Sequence, residues 1–208
     1  MDGRVRERLA ACVRALAGAL LTAVLLVGCA GVAPLPVTTA GVATAIIARS
    51  QFTMSGRFSA KNEREQVSGQ FRYAETPASR TLSLFSPLGT AMADIVAEGA
   101  NVTLTQANGA TQSAGSVSEL LRTVIDLPVT DRGLSSWLQG LPAASVGSEP
   151  TAVERDGNGW PLRFIESGWE IVVAERVADT GAPKRMRWSL AGRPETEVRW
   201  VIDEWATP

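Results

Sequence analysis

Of the residues able to do chemistry, Cys29 has the most specific surroundings. It closes the run Leu26-Val27-Gly28-Cys29 at the end of an uncharged stretch over residues 15–27, behind a start rich in arginine (Arg4, Arg6, Arg8, Arg14). Thirteen residues at about 1.5 Å rise span about 20 Å, short of a bilayer core of about 30 Å, so residues 1–28 read as a signal peptide rather than a membrane span. Leucine three places before a cysteine, with a small residue directly before it, makes a lipobox. Gly28 lets the backbone into the peptidase cleft, and the freed Cys29 thiol takes a diacylglycerol. An ordinary signal peptide with a chance cysteine is the alternative. Cleavage leaves 180 residues with 16 basic and 19 acidic side chains. More than one acyl chain on Cys29 anchors stably, because each buried CH2 contributes about 0.8 kcal/mol. Ala30 follows the cysteine. Aspartate there commonly retains a lipoprotein in the inner membrane of Gram-negative bacteria, so alanine points to the outer membrane.

The remaining inventory excludes more than it offers. The 208 residues contain no histidine and two cysteines, Cys12 and Cys29. Imidazole-dependent triads, dyads and metal sites are thereby ruled out, as is a four-thiolate metal site or a disulfide framework. No metal or cofactor is expected. With 20 basic against 21 acidic residues there is no basic field for nucleic acid. No GxxxxGK[ST] loop is present to cradle phosphates. Carboxylate chemistry of the glycosidase kind stays open, but the acidic residues are scattered and no pair stands beside an aromatic platform. The chain is read as a non-enzyme.

Residues 29–50 read as a lipidated tether. Their Pro/Gly/Ala/Thr-rich start reads as flexible, with a short helix over residues 43–50. The domain runs over residues 51–208. Period-two alternation starts at Phe52 and continues through Val67, Gly69, Phe71 and Tyr73, then Leu82 and Leu84. Ser86-Pro87-Leu88-Gly89 is a turn signature, strands follow over residues 91–97 and 102–106, and Asn108-Gly109 is a hairpin turn. Ser116 and Glu119 make a capping box for a helix carrying Leu120, Leu121, Val124 and Ile125, ended by Pro128. A second helix from Asp131 to Gln139 puts Leu134, Trp137 and Leu138 on one side, and Gly140 ends it. Strands then cover residues 151–155, 162–165, 169–174, 185–190 and 195–205. In the last, Val198, Trp200 and Ile202 share one face, with Arg199, Val201, Asp203 and Trp205 on the other. Nine or so antiparallel strands and two helices make a mostly β (α+β) fold. It reads as a curved sheet or open barrel with helices over one mouth.

Several stretches in this order resemble the LolB family of outer-membrane lipoproteins. They are Ser55-Gly56-Arg57-Phe58, Ser86-Pro87-Leu88-Gly89, Leu127-Pro128-Val129 with Leu134-Ser135-Ser136-Trp137-Leu138-Gln139-Gly140-Leu141-Pro142, Gly168-Trp169-Glu170-Ile171, and Ile202-Asp203-Glu204-Trp205, all behind the lipobox. The sequence departs from the family at Tyr73, where tryptophan is frequent, and at Asp126, where glycine is usual. The resemblance implies an incomplete antiparallel β-barrel with a helical lid over an apolar cavity. It implies a monomeric receptor that takes acylated lipoproteins from the periplasmic carrier LolA and places them in outer-membrane lipid. From the residues alone Leu88 is either exposed at this turn or folded back on the core, and the resemblance marks it as a protruding apolar tip for membrane delivery.

On that reading Phe71, Tyr73, Leu82, Leu84, Leu121, Val124, Leu134, Trp137, Leu138, Trp169 and Ile171 line the cavity for acyl chains. Ordinary core is an equal reading for each, since alternation does not separate a filled barrel from a hollow one. Arg57 either pairs with a lid carboxylate, Asp126 or Asp131, or is a solvated edge residue. A different function compatible with the sequence is an envelope lipoprotein that binds another lipid or acts as a scaffold.

Overall fold

The computed structural model describes residues 48–125, 128–143 and 149–207, without the side chains at 124 and 125. The signal peptide, Cys29, most of the tether and Asp126 lie outside the described residues. Residues 48–50, expected to end a short helix, are not helical.

Eleven strands form one antiparallel sheet. They are β1 (Phe52–Lys61), β2 (Gln66–Glu75), β3 (Ser79–Phe85), β4 (Ala91–Glu98), β5 (Asn101–Gln106), β6 (Thr111–Ala114), β7 (Thr151–Arg155), β8 (Pro161–Glu166), β9 (Trp169–Arg176), β10 (Pro183–Leu190) and β11 (Arg193–Ala206). Two helices, α1 (Val117–Ile125) and α2 (Asp131–Leu138), fall between β6 and β7. The strand order is β6-β5-β4-β3-β2-β1-β11-β10-β9-β8-β7. Consecutive strands pair except for β6 and β7, which the two helices separate, and β11 pairs back onto β1. The sheet is therefore open, with β6 and β7 as its edges.

Strand alternation follows the sequence closely. Phe52, Met54, Phe58 and Ala60 of β1 are buried, as are Phe71 and Tyr73 of β2, Leu82 and Leu84 of β3, and Val198, Trp200 and Ile202 of β11. Together with the helices they form one apolar interior. Two irregularities were not expected. The strand β6 is short and polar, and only its pairing with β5 defines it. In β11 the register against β1 shifts between Ser55 and Gly56, so Asp203 is an extra residue and Trp205 comes opposite Met54. Simple alternation puts Trp205 on the outer face. The bulge instead carries its ring onto Phe52, stacked at 5.0 Å. Gly56 permits this bend, because a Cβ there would run into the Val201 carbonyl oxygen.

The caps read from the sequence are found at both ends of α2 and at the start of α1, and the stop expected for α1 at Pro128 borders residues outside the described ones. Thr130 caps α2, its hydroxyl accepting from the Gly133 N–H at 3.0 Å. At the other end Gly140 adopts φ 66°. The Gly140 and Leu141 N–H groups then donate to the Trp137 and Ser136 carbonyls, a Schellman arrangement. Ser116 caps α1 through the Glu119 N–H at 3.2 Å, while the Glu119 carboxylate reaches back one residue further than expected, to the Gly115 N–H. The N-terminus of α1 gains a second cap from outside: the Asp131 carboxylate accepts from the Val117 and Ser118 N–H groups at 3.2 and 2.7 Å. A carboxylate is favoured there by the helix dipole.

Candidate functional site

The sheet's inner face and the two helices gather nearly all the sequence-selected apolar residues. Phe71, Tyr73, Leu82, Leu84, Leu121, Leu134, Trp137, Leu138, Trp169 and Ile171 are all buried in one cluster. Val124 lies within α1, its side chain outside the described residues. Residues not selected for the cavity are equally buried there: Phe52, Met54, Phe58, Leu120, Phe164, Trp188 and Trp200. An aromatic series runs through the middle. Trp137 of α2 meets Trp188 edge-on at 5.8 Å, Trp188 lies 5.1 Å from Trp200, and Trp200 meets Phe71 at 4.9 Å. The helices thus fill the interior with their own side chains. The gap bounded by Tyr73, Arg80, Leu82, Ile95, Val117 and Leu134 has no room for a water molecule.

Polar contacts also fasten the helices to the sheet. The buried Glu166 carboxylate of β8 accepts from the Trp137 indole N–H at 2.6 Å and from the Ala143 backbone N–H at 2.8 Å. Glu75 of β2 accepts from the Tyr73 hydroxyl at 2.7 Å and the Ser135 hydroxyl at 2.6 Å. Burial, then the Glu75 carboxylate, holds the Tyr73 phenol well above its ordinary pKa, so it stays a neutral donor. Arg80 of β3 donates to the Asp131 carbonyl at 3.3 Å. Arg176 donates to the Gly140, Pro161 and Gly181 carbonyls and lies over the Trp160 ring. Burial lowers its pKa to about 10, so it remains a cation at neutral pH. Asp131→Ala removes the carboxylate that caps α1. We expect a loss of about 1–2 kcal/mol, with faster amide exchange at Val117 and Ser118. Unchanged exchange at those two amides would contradict the role given to Asp131.

Arg57 is not part of this fastening. It pairs with Asp203 on β11 through its Nε and a terminal nitrogen, at 3.2 and 3.1 Å, and its side chain is 64% exposed. It is a solvated strand residue, and Arg80 instead is the arginine that reaches Asp131.

Among the described residues three buried side-chain nitrogens have no hydrogen-bond partner, and one of them is Arg176 Nε. The indole nitrogens of Trp188 and Trp200 are buried and have no hydrogen-bond acceptor. Each such N–H costs about 1–3 kcal/mol. By contrast Trp169 donates to the Pro128 carbonyl at 3.1 Å.

Outside the interior, two features stand on the surface. Leu88 is 95% exposed at the tip of the β3–β4 turn. That turn is held by the Gly89 N–H on the Ser86 carbonyl, the Ser86 N–H on the Thr90 carbonyl, and the Gln70 amide on the Pro87 carbonyl. Gly89 takes φ 86°. A cleft of about 550 Å³ crosses β11, β1, β2 and β3, lined largely by outward residues such as Thr53, Ser55, Arg72, Ser83 and Glu204. Of the residues selected for the cavity only Tyr73 borders it. Among the described residues no group of three or more acidic, histidine or cysteine side chains is placed to hold a metal ion. No described helix is long and apolar enough to cross a membrane.

The sequence matches the family model described as "Outer membrane lipoprotein LolB" over residues 50–205. The outer-membrane lipoprotein LolB of Cupriavidus metallidurans is 35% identical over 196 residues, covering 88% of this chain and 92% of that protein. Its counterpart in Thiobacillus denitrificans is 32% identical over 178 residues, covering 86% and 90%. Among solved structures, a LolA superfamily protein from Nitrosomonas europaea superposes with a TM-score of 0.51, covering 78% of this chain and 88% of that one, at 8% identity. At that identity the likeness is one of fold.

Proposed function

The chain belongs to the LolB family of outer-membrane lipoproteins, and from that premise we propose that its apolar interior is the compartment that holds the acyl chains of the lipoproteins it handles. As a family member it receives lipoproteins from LolA and inserts them into the outer membrane, to which it is itself lipid-anchored. Cys29 is the proposed attachment point of that anchor, on the lipobox. The continuous apolar face of the open sheet, covered by two short helices whose buried side chains pack on it, carries the reading of the interior.

The work is transfer between apolar surroundings. Each acyl CH2 left in water costs about 0.8 kcal/mol, so a client with several chains cannot cross water unshielded. Transfer from the carrier runs downhill if this interior holds the chains better than the donor does. Release to the bilayer runs downhill if lipid holds them better still. In the structure the interior is occupied by Leu120, Leu121, Leu134, Trp137 and Leu138 from the helices. Acyl chains therefore enter by displacing these side chains as α1 and α2 lift. No side chain needs to act as acid or base. Leu88, on its braced turn, is the proposed point of contact with the membrane.

The test is an acyl-transfer assay: purified carrier loaded with a labelled lipoprotein is mixed with this chain. Appearance of the client on this chain, followed by its movement into added vesicles, is the expected result. A client that stays on the carrier would overturn the reading in favour of a lipoprotein that binds another lipid or acts as a scaffold.

A further inference from the structure

We propose that the indole N–H groups of Trp188 and Trp200 form a hydrogen-bonding subsite within the apolar interior that recognises the carbonyl oxygen of a fatty acyl ester. The inference rests on the reading of that interior as the acyl-chain compartment and names the part of the ligand it recognises beyond hydrocarbon.

Both rings are buried, and both indole nitrogens lack an acceptor. Their surroundings explain why. Trp188 lies across the ladder from Val198 and Ile171, and Trp200 from Phe58 and Met186. Rings close to them include those of Phe58, Phe71 and Trp137. Ring faces are weak acceptors. An ordered water needs two to four polar partners, and these side chains are apolar or aromatic. Elsewhere the fold satisfies its buried indoles, Trp137 through Glu166 and Trp169 through Pro128. The two unsatisfied donors are therefore a local property of the place where β10 and β11 face α2.

Hydrocarbon alone would leave both donors as they are. A ligand that suits the site is apolar over most of its length and carries a carbonyl acceptor, which describes a fatty acyl chain at its ester linkage. The two ring centroids lie 5.1 Å apart with their planes at 53°, so the two indoles are direct neighbours. Trp137, which packs against Trp188, leaves with α2 when the helix lifts, so the subsite opens with the compartment.

The experiment compares dioctanoylglycerol with its dioctyl ether, which has the same chains and no carbonyl, on the full chain labelled with 15N at its indoles. The expected result is about tenfold tighter binding of the ester. Two of the six indole N–H resonances should move downfield with the ester and not with the ether. Trp188→Phe and Trp200→Phe assign those resonances, and the double substitution is expected to abolish the preference. Equal affinity for ester and ether, or a preference that survives both substitutions, would overturn the inference while leaving the acyl compartment standing. Failure of both probes to bind would overturn the compartment and this subsite with it. The resonance shifts are read in the unaltered chain, so they decide the matter even where a substitution impairs folding.

Discussion

Leu88→Glu is expected to accept lipoprotein from the carrier at the unaltered rate and to deliver it to membranes about a hundredfold more slowly. The side chain is almost fully exposed, so it contributes nothing to the core whose loss could unfold the protein. Its turn is fixed by backbone hydrogen bonds and by Gly89 at positive φ, none of which involves the leucine side chain. A leucine inserted into the acyl boundary gains about 2 kcal/mol, and a glutamate forfeits that gain and adds a charge where charge is costly. A difference of about 3 kcal/mol in the delivery step corresponds to about two orders of magnitude in rate. The measurement is vesicle incorporation of a carrier-bound client alongside thermal unfolding. Equal incorporation by variant and parent would remove Leu88 from the delivery step. A large fall in melting temperature would show the side chain to be structural.

Trp137→Ala has the largest expected effect on stability. The ring is fully buried at the junction of α2 with the sheet, against Trp188, and its indole N–H is held by Glu166. Removing a buried aromatic side chain costs about 3–5 kcal/mol. Taking a donor from a buried carboxylate adds about 1–3 kcal/mol. Against a total stability of about 5–15 kcal/mol, this loosens α2 or unfolds the domain. The melting temperature is expected to fall by about 10–20 °C, and binding of an apolar dye to the exposed interior should rise. Trp137→Phe keeps most of the ring and loses only the bond to Glu166, so its loss is expected to be about 2 kcal/mol. If alanine and phenylalanine destabilise equally, the contact with Glu166 rather than packing dominates. If neither does, α2 is not seated by Trp137.

Much of the strand pattern was legible because each antiparallel strand buries one face and wets the other. Phe71, Tyr73, Leu82 and Leu84 could be assigned to the inside from period two alone. The failures share a cause: each depends on a contact distant in sequence. The polar β6 has no pattern of its own and exists through β5. Trp205 changes face because of a bulge set against β1. Asp131 caps a helix that begins before it, and Arg57 finds Asp203 on a strand at the far end of the chain. The interior was legible as a list of apolar residues but not as a filled space, since alternation gives a direction and not a volume. Trp188 and Trp200 were visible as members of apolar faces. Whether an indole finds an acceptor depends on what the neighbouring strands present to it, and no local pattern carries that.

The central claim is that acyl chains occupy the space now filled by the lid side chains. Photo-cross-linking from a lipoprotein whose acyl chain carries a diazirine near its end, transferred from carrier to this chain and mapped by mass spectrometry, tests it most directly. Adducts are expected on inner-face and lid residues such as Phe71, Leu84, Trp137 and Trp188. Adducts confined to the outer cleft at Thr53, Ser83 and Glu204 would contradict it.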